Sequence, residues 1–389
     1  MADDTGRGVT RRDVLSTGAA VGGAALLAGC TDALGSAGDD GDGGSGDGGD
    51  GGSGSNSYTV SMVPTGEVSF DSVPESVTNY FPGYADMAVA LGHGDSITSV
   101  GVASRYHTDV YDELDGVSVD EGSLTELYQG GLDTEVFYSL DGDLHLIDPN
   151  WLVNNFDGLE RADVDELAEN VAPFLGNTVF RRTDSWHDYR YYTMYEAFET
   201  VAEVYQETER FEAFQSFHDD LLASVQADLP PAKDRPNGLL CFAAGDEPEL
   251  FYPARLSDKG TSKKQFHDLG ISDALAGSGV EGLSTNERGQ VDYETMLNVD
   301  PDSILIRGHE TKTEQEFRDT VLSFMQDHDT ASQLTAVQEE RVFRGGPIYE
   351  GPIHNLFLTE RFATAYFPDT YSGELFDRDE LASIVNGEA

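Results

Sequence analysis

A fifteen-residue segment occurs twice in this chain, and the duplication restricts the possible folds more than any other feature. Residues 133–147, Asp-Thr-Glu-Val-Phe-Tyr-Ser-Leu-Asp-Gly-Asp-Leu-His-Leu-Ile, align without gaps on residues 292–306, Asp-Tyr-Glu-Thr-Met-Leu-Asn-Val-Asp-Pro-Asp-Ser-Ile-Leu-Ile. In each copy a glutamate (Glu135, Glu294) opens a short apolar helix. An aspartate (Asp141, Asp300) then closes the turn, and an apolar strand follows. The copies stand 159 residues apart (292 minus 133), which predicts two equivalent lobes, each built around one copy.

The surrounding pattern agrees. In the first half the apolar periodicity predicts strands at 58–62, 76–80, 96–102 and 143–148, with helices at 84–91 and 134–140. The second half reads as strands at 238–243, 303–307 and 341–344, with helices at 264–269, 293–299, 314–326 and 354–366. Strands alternating with helices predict an α/β fold with mainly parallel sheets. Between 188 and 229 lies the longest helical spacing, carried by Met194, Phe198, Val201 and Tyr205, then Phe211, Phe214, Phe217, Leu221 and Val225. Pro230-Pro231 stops it. The expected organisation is an N-terminal lobe at 58–208, a linking helix at 209–229, a C-terminal lobe at 236–373 and an acidic tail at 374–389, with a ligand cleft between the lobes.

Seventy-two acidic residues against 23 basic ones give a formal charge of −49. That excludes a nucleic-acid binder working by phosphate neutralisation. The 39% of hydrophobic residues suffices for a real core, so the acidity reads as a surface adapted to concentrated salt, where the Debye length falls to about 3 Å. Only five bases are lysines, at 233, 259, 263, 264 and 312.

The first thirty residues read as an address. Arg11-Arg12 precedes an uncharged stretch at 17–29 that ends Leu27-Ala28-Gly29-Cys30. This matches a twin-arginine export signal at 1–29 followed by a lipid-bearing Cys30, and the apolar stretch is too short to span a bilayer. Residues 31–57 are almost only Gly, Asp and Ser, a composition that makes a flexible, self-repelling tether. The expected location is the outer face of the cell membrane, held by a lipid anchor. The other cysteine, Cys241, lies in an apolar run and reads as a buried small hydrophobe, so no disulfide is expected.

Further segments repeat a known pattern. Val73-Pro74-Glu75-Ser76-Val77 leads into the helix at 84–91, then Gly92 and the 97–101 run. Leu334-Thr335-Ala336-Val337-Gln338-Glu339-Glu340-Arg341-Val342-Phe343 follows late in the chain. With the two Glu-helix, Asp-strand copies, these segments resemble the iron-siderophore and cobalamin class of ABC-transporter substrate-binding proteins, the helical-backbone type, here in a haloarchaeal style. The resemblance covers about residues 58–371. Gly142 stands where the first-lobe pattern has proline, and 112–130 matches no part of it. The resemblance implies a monomeric binding protein, not an enzyme, without a cofactor. It implies a small-molecule ligand in the cleft, an iron(III) chelate ahead of cobalamin or haem. It also implies Glu135 and Glu294 as docking residues for a membrane permease working with its ATPase subunit.

In open α/β lobes, ligands sit on loops that follow the carboxyl ends of parallel strands. That rule selects Arg105, Tyr106, His107, Asn150 and Trp151 in the first half. In the second it selects Tyr252, Arg255, Arg307, His309 and Tyr349. Arginine offers a planar fork of donors for anionic groups, and aromatic rings stack on flat apolar faces. None of the nine histidines forms a close pair of metal-ligand spacing, so no metal site is expected. His107 and His309 with a carboxylate remain the alternative for a bare ion, and the same pair with Asp148 for a metal-dependent enzyme. H-E-x-x-H is absent, and the body holds no G-x-S-x-G.

Overall fold

The computed structural model describes residues 57–280 and 289–388. The export signal, Cys30 and the tether up to residue 56 lie outside the described residues. Strands β1 (Tyr58–Met62) and β2 (Gly66–Phe70) form an antiparallel hairpin of their own, with Tyr58 opposite Phe70. The strand expected at 58–62 therefore exists but stands apart from the parallel sheet. Strands β3 (Val77–Asn79), β4 (Ile97–Val100), β5 (Thr125–Glu126) and β6 (Leu144–Leu146) make a parallel sheet in the order β5-β4-β3-β6. The second lobe holds β7 (Asn237–Phe242), β8 (Tyr252–Ala254), β9 (Ser272–Asp273), β10 (Ser303–Arg307) and β11 (Val342–Arg344). They run β11-β10-β7-β8, with β9 also on β7, and β8 alone is antiparallel.

The repeat is structural as well as sequential. Helices Thr134–Leu140 and Tyr293–Val299 are each capped by an aspartate, Asp133 and Asp292, whose side chain accepts a hydrogen bond from a first-turn N–H. Each ends on a left-handed aspartate, Asp141 (φ 47°) and Asp300 (φ 42°), a conformation that Asp tolerates better than most residues. Asp143 and Asp302, also equivalent, reach back to the first strand of their sheet. Asp143 Oδ2 accepts from the N–H groups of Glu75 and Ser76, both at 2.9 Å, and Asp302 Oδ2 accepts from that of Asn237 at 2.9 Å. The following strand then pairs with that first strand: β6 with β3, and β10 with β7.

Alternation along β7 and β10 sorts their side chains between two cores. Leu240 and Leu305 face an apolar cluster that runs on through the first lobe, whereas Leu239, Cys241, Ile304 and Ile306 face a second cluster within the C-terminal lobe. Cys241 is unpaired and buried, as expected, and burial pushes its thiol pKa up.

One expectation needs correction, and two gain detail. The helical spacing of 188–229 becomes two helices, Met194–Tyr205 and Thr208–Asp228, because Gln206 adopts a left-handed φ of 58° between them. The helix at 314–326 passes through a π turn at Arg318–Leu322. The acidic tail at 374–389 is in large part ordered: helix Arg378–Asn386, capped by Asp377, buries Leu381, Ile384 and Val385. It packs on helix Pro82–Ala90 of the first lobe and on the linking helix Thr208–Asp228, where Arg210 donates to the carbonyls of both Leu91 and Val385. Its apolar residues recur at helical spacing, a signal hidden by the surrounding acids.

The lobes meet at a buried polar joint. Helix Pro352–Tyr366 begins at Gly351, which has no side chain to cap it, and Asp86 from helix Pro82–Ala90 caps it across the lobe boundary. Asp86, fully buried, accepts from the N–H of Ile353 (2.8 Å), the N–H of His354 (3.4 Å) and the Tyr111 hydroxyl (2.7 Å). Its carboxylate also lies 2.9 Å from His354 Nδ1, while His354 Nε2 donates to the His107 carbonyl at 2.6 Å. Gly83 and Gly351 allow this approach, since a Cβ on Gly351 would stand 2.5 Å from the Gly83 carbonyl oxygen.

Candidate functional site

Above this joint the strand-end loops of the two lobes face each other. From the first lobe come Tyr80 and Phe81 after β3, Arg105 after β4, Trp151 after β6, and Phe156 and Phe180 further along. Their rings form a wall: Phe81 to Trp151 is 5.1 Å between centroids, Phe81 to Phe180 5.1 Å, Trp151 to Phe180 5.3 Å and Tyr80 to Phe156 5.4 Å. Arg181 lies over Trp151 at 4.9 Å and over Phe180 at 5.0 Å, with its guanidinium oriented by both oxygens of Asp184 at 2.6 and 2.8 Å.

Tyr349 of the second lobe leans on this wall, 4.8 Å from Phe180 and 5.3 Å from Phe81, and its hydroxyl accepts from Arg105 at 3.4 Å. The second lobe also holds two buried cations. Arg307, 7% exposed at the end of β10, donates to the carbonyls of Ser262 (2.5 Å) and Gly345 (3.4 Å). Lys263, 4% exposed, donates to the Lys259 carbonyl at 3.4 Å; burial lowers its pKa to about 8, and Arg307 pushes the same way. Among the described residues, Arg105, Lys263 and Arg307 form no ion pair. In a chain carrying three acids per base, three cations outside any salt bridge of the described residues have donors and charge suited to an anionic group.

Of the residues expected in the cleft, the structure brings Arg105, Trp151, Arg307 and Tyr349 together. Tyr106 is instead packed against Tyr111, its hydroxyl 3.2 Å from that of its neighbour. His107 offers its carbonyl to the joint, and burial lowers its ring pKa. Asn150 accepts from Arg161 and lines a separate surface groove of about 620 Å³ between the β1–β2 hairpin and helices Pro149–Asn155 and Arg161–Asn170. Arg255 faces Asp273 at 3.8 Å, and His309 is buried against Phe317 in the second lobe. Tyr252, 37% exposed on the edge strand β8, accepts from Gln290 at 2.7 Å.

Asp148 is also fully employed. It caps helix Pro149–Asn155 and accepts from Thr178 and Tyr189, which removes the carboxylate that the metal-dependent enzyme alternative required. Among the described residues no group of three His, Cys, Asp or Glu could hold a metal ion. The reading of strand ends overlooked Tyr80 and Phe81, which obey its own rule, and Phe180, Arg181, Lys263 and Glu350. Lys263 had a signal in the rarity of lysine. Phe180 and Arg181 lie on an irregular segment whose approach to the cleft depends on long-range pairing, such as the Thr261 N–H donating to the Val179 carbonyl at 3.1 Å. Glu135 and Glu294 are exposed in the first turns of their helices, one per lobe.

Residues 77–349 match the family described as Periplasmic binding protein. No curated protein matches the chain by sequence. Solved structures of the same fold include the iron uptake ABC transporter substrate-binding protein PiuA from Streptococcus pneumoniae, 14% identical, with a TM-score of 0.55 over 79% of this chain and 98% of that one. The petrobactin-binding protein YclQ from Bacillus subtilis is 14% identical, with a TM-score of 0.56 over 80% and 99%. Ceue from Helicobacter pylori with Ni(II) bound is 13% identical, with a TM-score of 0.54 over 85% and 96%.

Proposed function

The chain belongs to the periplasmic binding protein family, and we propose that it is the extracellular solute-binding component of an ABC importer that captures an anionic iron(III) chelate between its lobes. The observation that carries the proposal is the pairing of an aromatic wall with unpaired cations at the lobe boundary. Trp151, Phe81, Phe180 and Tyr349 supply flat apolar faces, and Arg105, Arg307 and Lys263 supply positive charge that is held in no salt bridge among the described residues. The buried Trp151 indole N–H has no acceptor among the described residues, so it too is available to a ligand. The names of PiuA and YclQ, iron uptake and petrobactin binding, point to the same ligand class. Capture requires the lobes to part, because Tyr349 and Arg105 occupy the space between them.

Both tryptophans of the chain, Trp151 and Trp186, sit here with ring centroids 6.4 Å apart. A bound ferric chelate is expected to quench most of the intrinsic tryptophan fluorescence and to raise the melting temperature in molar salt. Ferric citrate, a ferric trihydroxamate, haem, cobalamin and bare Zn²⁺ are the probes. A shift with cobalamin or haem alone would transfer the assignment to those ligands, whose planar rings suit the same wall.

The proposal includes export by the twin-arginine route and a lipid on Cys30, from the sequence of the first thirty residues. Cys30→Ala is expected to move the protein from the membrane fraction to the medium on cell fractionation. Retention in the membrane fraction would remove the anchor from the proposal.

A further inference from the structure

Glu350 follows Tyr349 into the site and is 1% exposed, yet it forms no ion pair among the described residues. Its Oε2 accepts a long hydrogen bond from Gln265 Nε2 (3.4 Å), and Oε1 has no partner. The charged groups around it come from every neighbouring element: Arg307 at the end of β10, Lys264 on helix Lys264–Asp268, and His354 and Arg361 on helix Pro352–Tyr366. Lys263 in turn feels Arg307, Asp258, Arg181 and Glu350. Asp86, from helix Pro82–Ala90, faces His354. A buried carboxylate without an ion pair thus lies within electrostatic reach of buried cations that have none.

We propose that in mildly alkaline solution Glu350 is the counter-charge to Arg307 and Lys263, and that an anionic ligand replaces it in that role, at which point Glu350 takes up a proton from solvent. This rests on the reading of the lobe boundary as the ligand site. A ligand carboxylate held by Arg307 and Lys263 would face Glu350 at close range, and two carboxylates in one buried site do not both stay ionised. Protonation removes the repulsion without moving the side chain. The site is prepared for it, since burial already raises the Glu350 pKa to about 8, against the lowering pull of Arg307 and His354. Lys263, lowered to about 8, is driven toward its charged form by the same anion, so both groups shift in the sense of proton uptake. Binding that takes up a proton weakens as pH rises, by up to about tenfold per pH unit where one whole proton is involved. Neutral chelates escape this dependence, so Glu350 makes affinity a function of ligand charge.

The test is calorimetric titration of the wild-type protein in molar salt near pH 8, in two buffers of different ionisation enthalpy, with ferric citrate and with a neutral ferric trihydroxamate. About one proton taken up per ferric citrate, and none per trihydroxamate, is expected. Glu350→Gln and Lys263→Arg are each expected to remove about half of the uptake, because both groups titrate near this pH and arginine keeps the charge without titrating. Ferric citrate binding without proton uptake, equal uptake with the neutral chelate, or uptake wholly lost in Lys263→Arg would each overturn the assignment of Glu350. So would binding of the neutral chelate alone, although the reading of the site would survive it. Failure of both probes to bind would overturn that reading and this inference together. The wild-type proton count and Lys263→Arg decide the matter even if Glu350→Gln does not fold.

Discussion

Asp86→Ala is expected to destabilise the protein by about 3–5 kcal/mol, the usual cost of removing one partner from a buried ion pair. The substitution strands three donors at once: two N–H groups of a helix N-terminus and the Tyr111 hydroxyl. It also leaves the buried His354 imidazolium without its carboxylate partner in the joint. For a chain of this size a few kcal/mol corresponds to a fall in melting temperature of roughly 10 °C, measurable by thermal unfolding in molar salt. The pH dependence gives a second readout. Burial opposes the His354 charge, but Asp86 outweighs it and raises the pKa to about 9. A group whose pKa is raised by folding stabilises fully below its unfolded value, near 6.5, and loses that contribution as pH rises through about 9. The wild-type melting temperature should therefore decline across that window, and the Asp86→Ala curve should be flatter. An unchanged melting temperature, or parallel pH curves, would show that the joint contributes nothing.

Reversing both exposed carboxylates, Glu135→Lys with Glu294→Lys, is expected to lower uptake by the cognate importer about tenfold or more while leaving ligand affinity as it was. Like charges brought face to face at an interface cost several kcal/mol, but molar salt screens exposed pairs heavily, so the lower figure applies. Neither glutamate caps its helix; Asp133 and Asp292 do that, so the reversals leave the fold intact. Uptake in cells or vesicles, beside a titration of the purified protein, measures the two quantities. Normal uptake by the double variant would sink the docking role.

What the sequence disclosed follows its physics. The repeat copies were legible because each carries its own local instructions: an Asp cap, an apolar turn of helix, a left-handed Asp, and an apolar strand. The long strands of the second sheet were legible for the same reason, since Leu239 to Cys241 and Ile304 to Ile306 are buried on both faces and read as continuous apolar runs. Two-residue strands such as β5 and β9 carry no period to detect and exist only because a neighbour pairs with them. In the site, the strand-end rule located Arg105, Trp151, Arg307 and Tyr349 but also admitted His309 and Arg255. The rule gives a position along the chain and not the direction of a side chain. Asp86 was invisible for a related reason: nothing local distinguishes an aspartate that caps a helix more than 260 residues away from one that faces water.

The second lobe is fastened at both ends, by helix Thr208–Asp228 on entry and by helix Arg378–Asn386, which carries the chain back onto the first lobe. A body held at one point can swivel freely, whereas a body held at two points can only turn about the line that joins them. Crossings so placed oppose free swivelling and bias any parting of the lobes toward a hinge. The separation of Glu135 and Glu294, one on each leaf of that hinge, then tracks its angle. A membrane partner touching both could read occupancy of the cleft from a single distance.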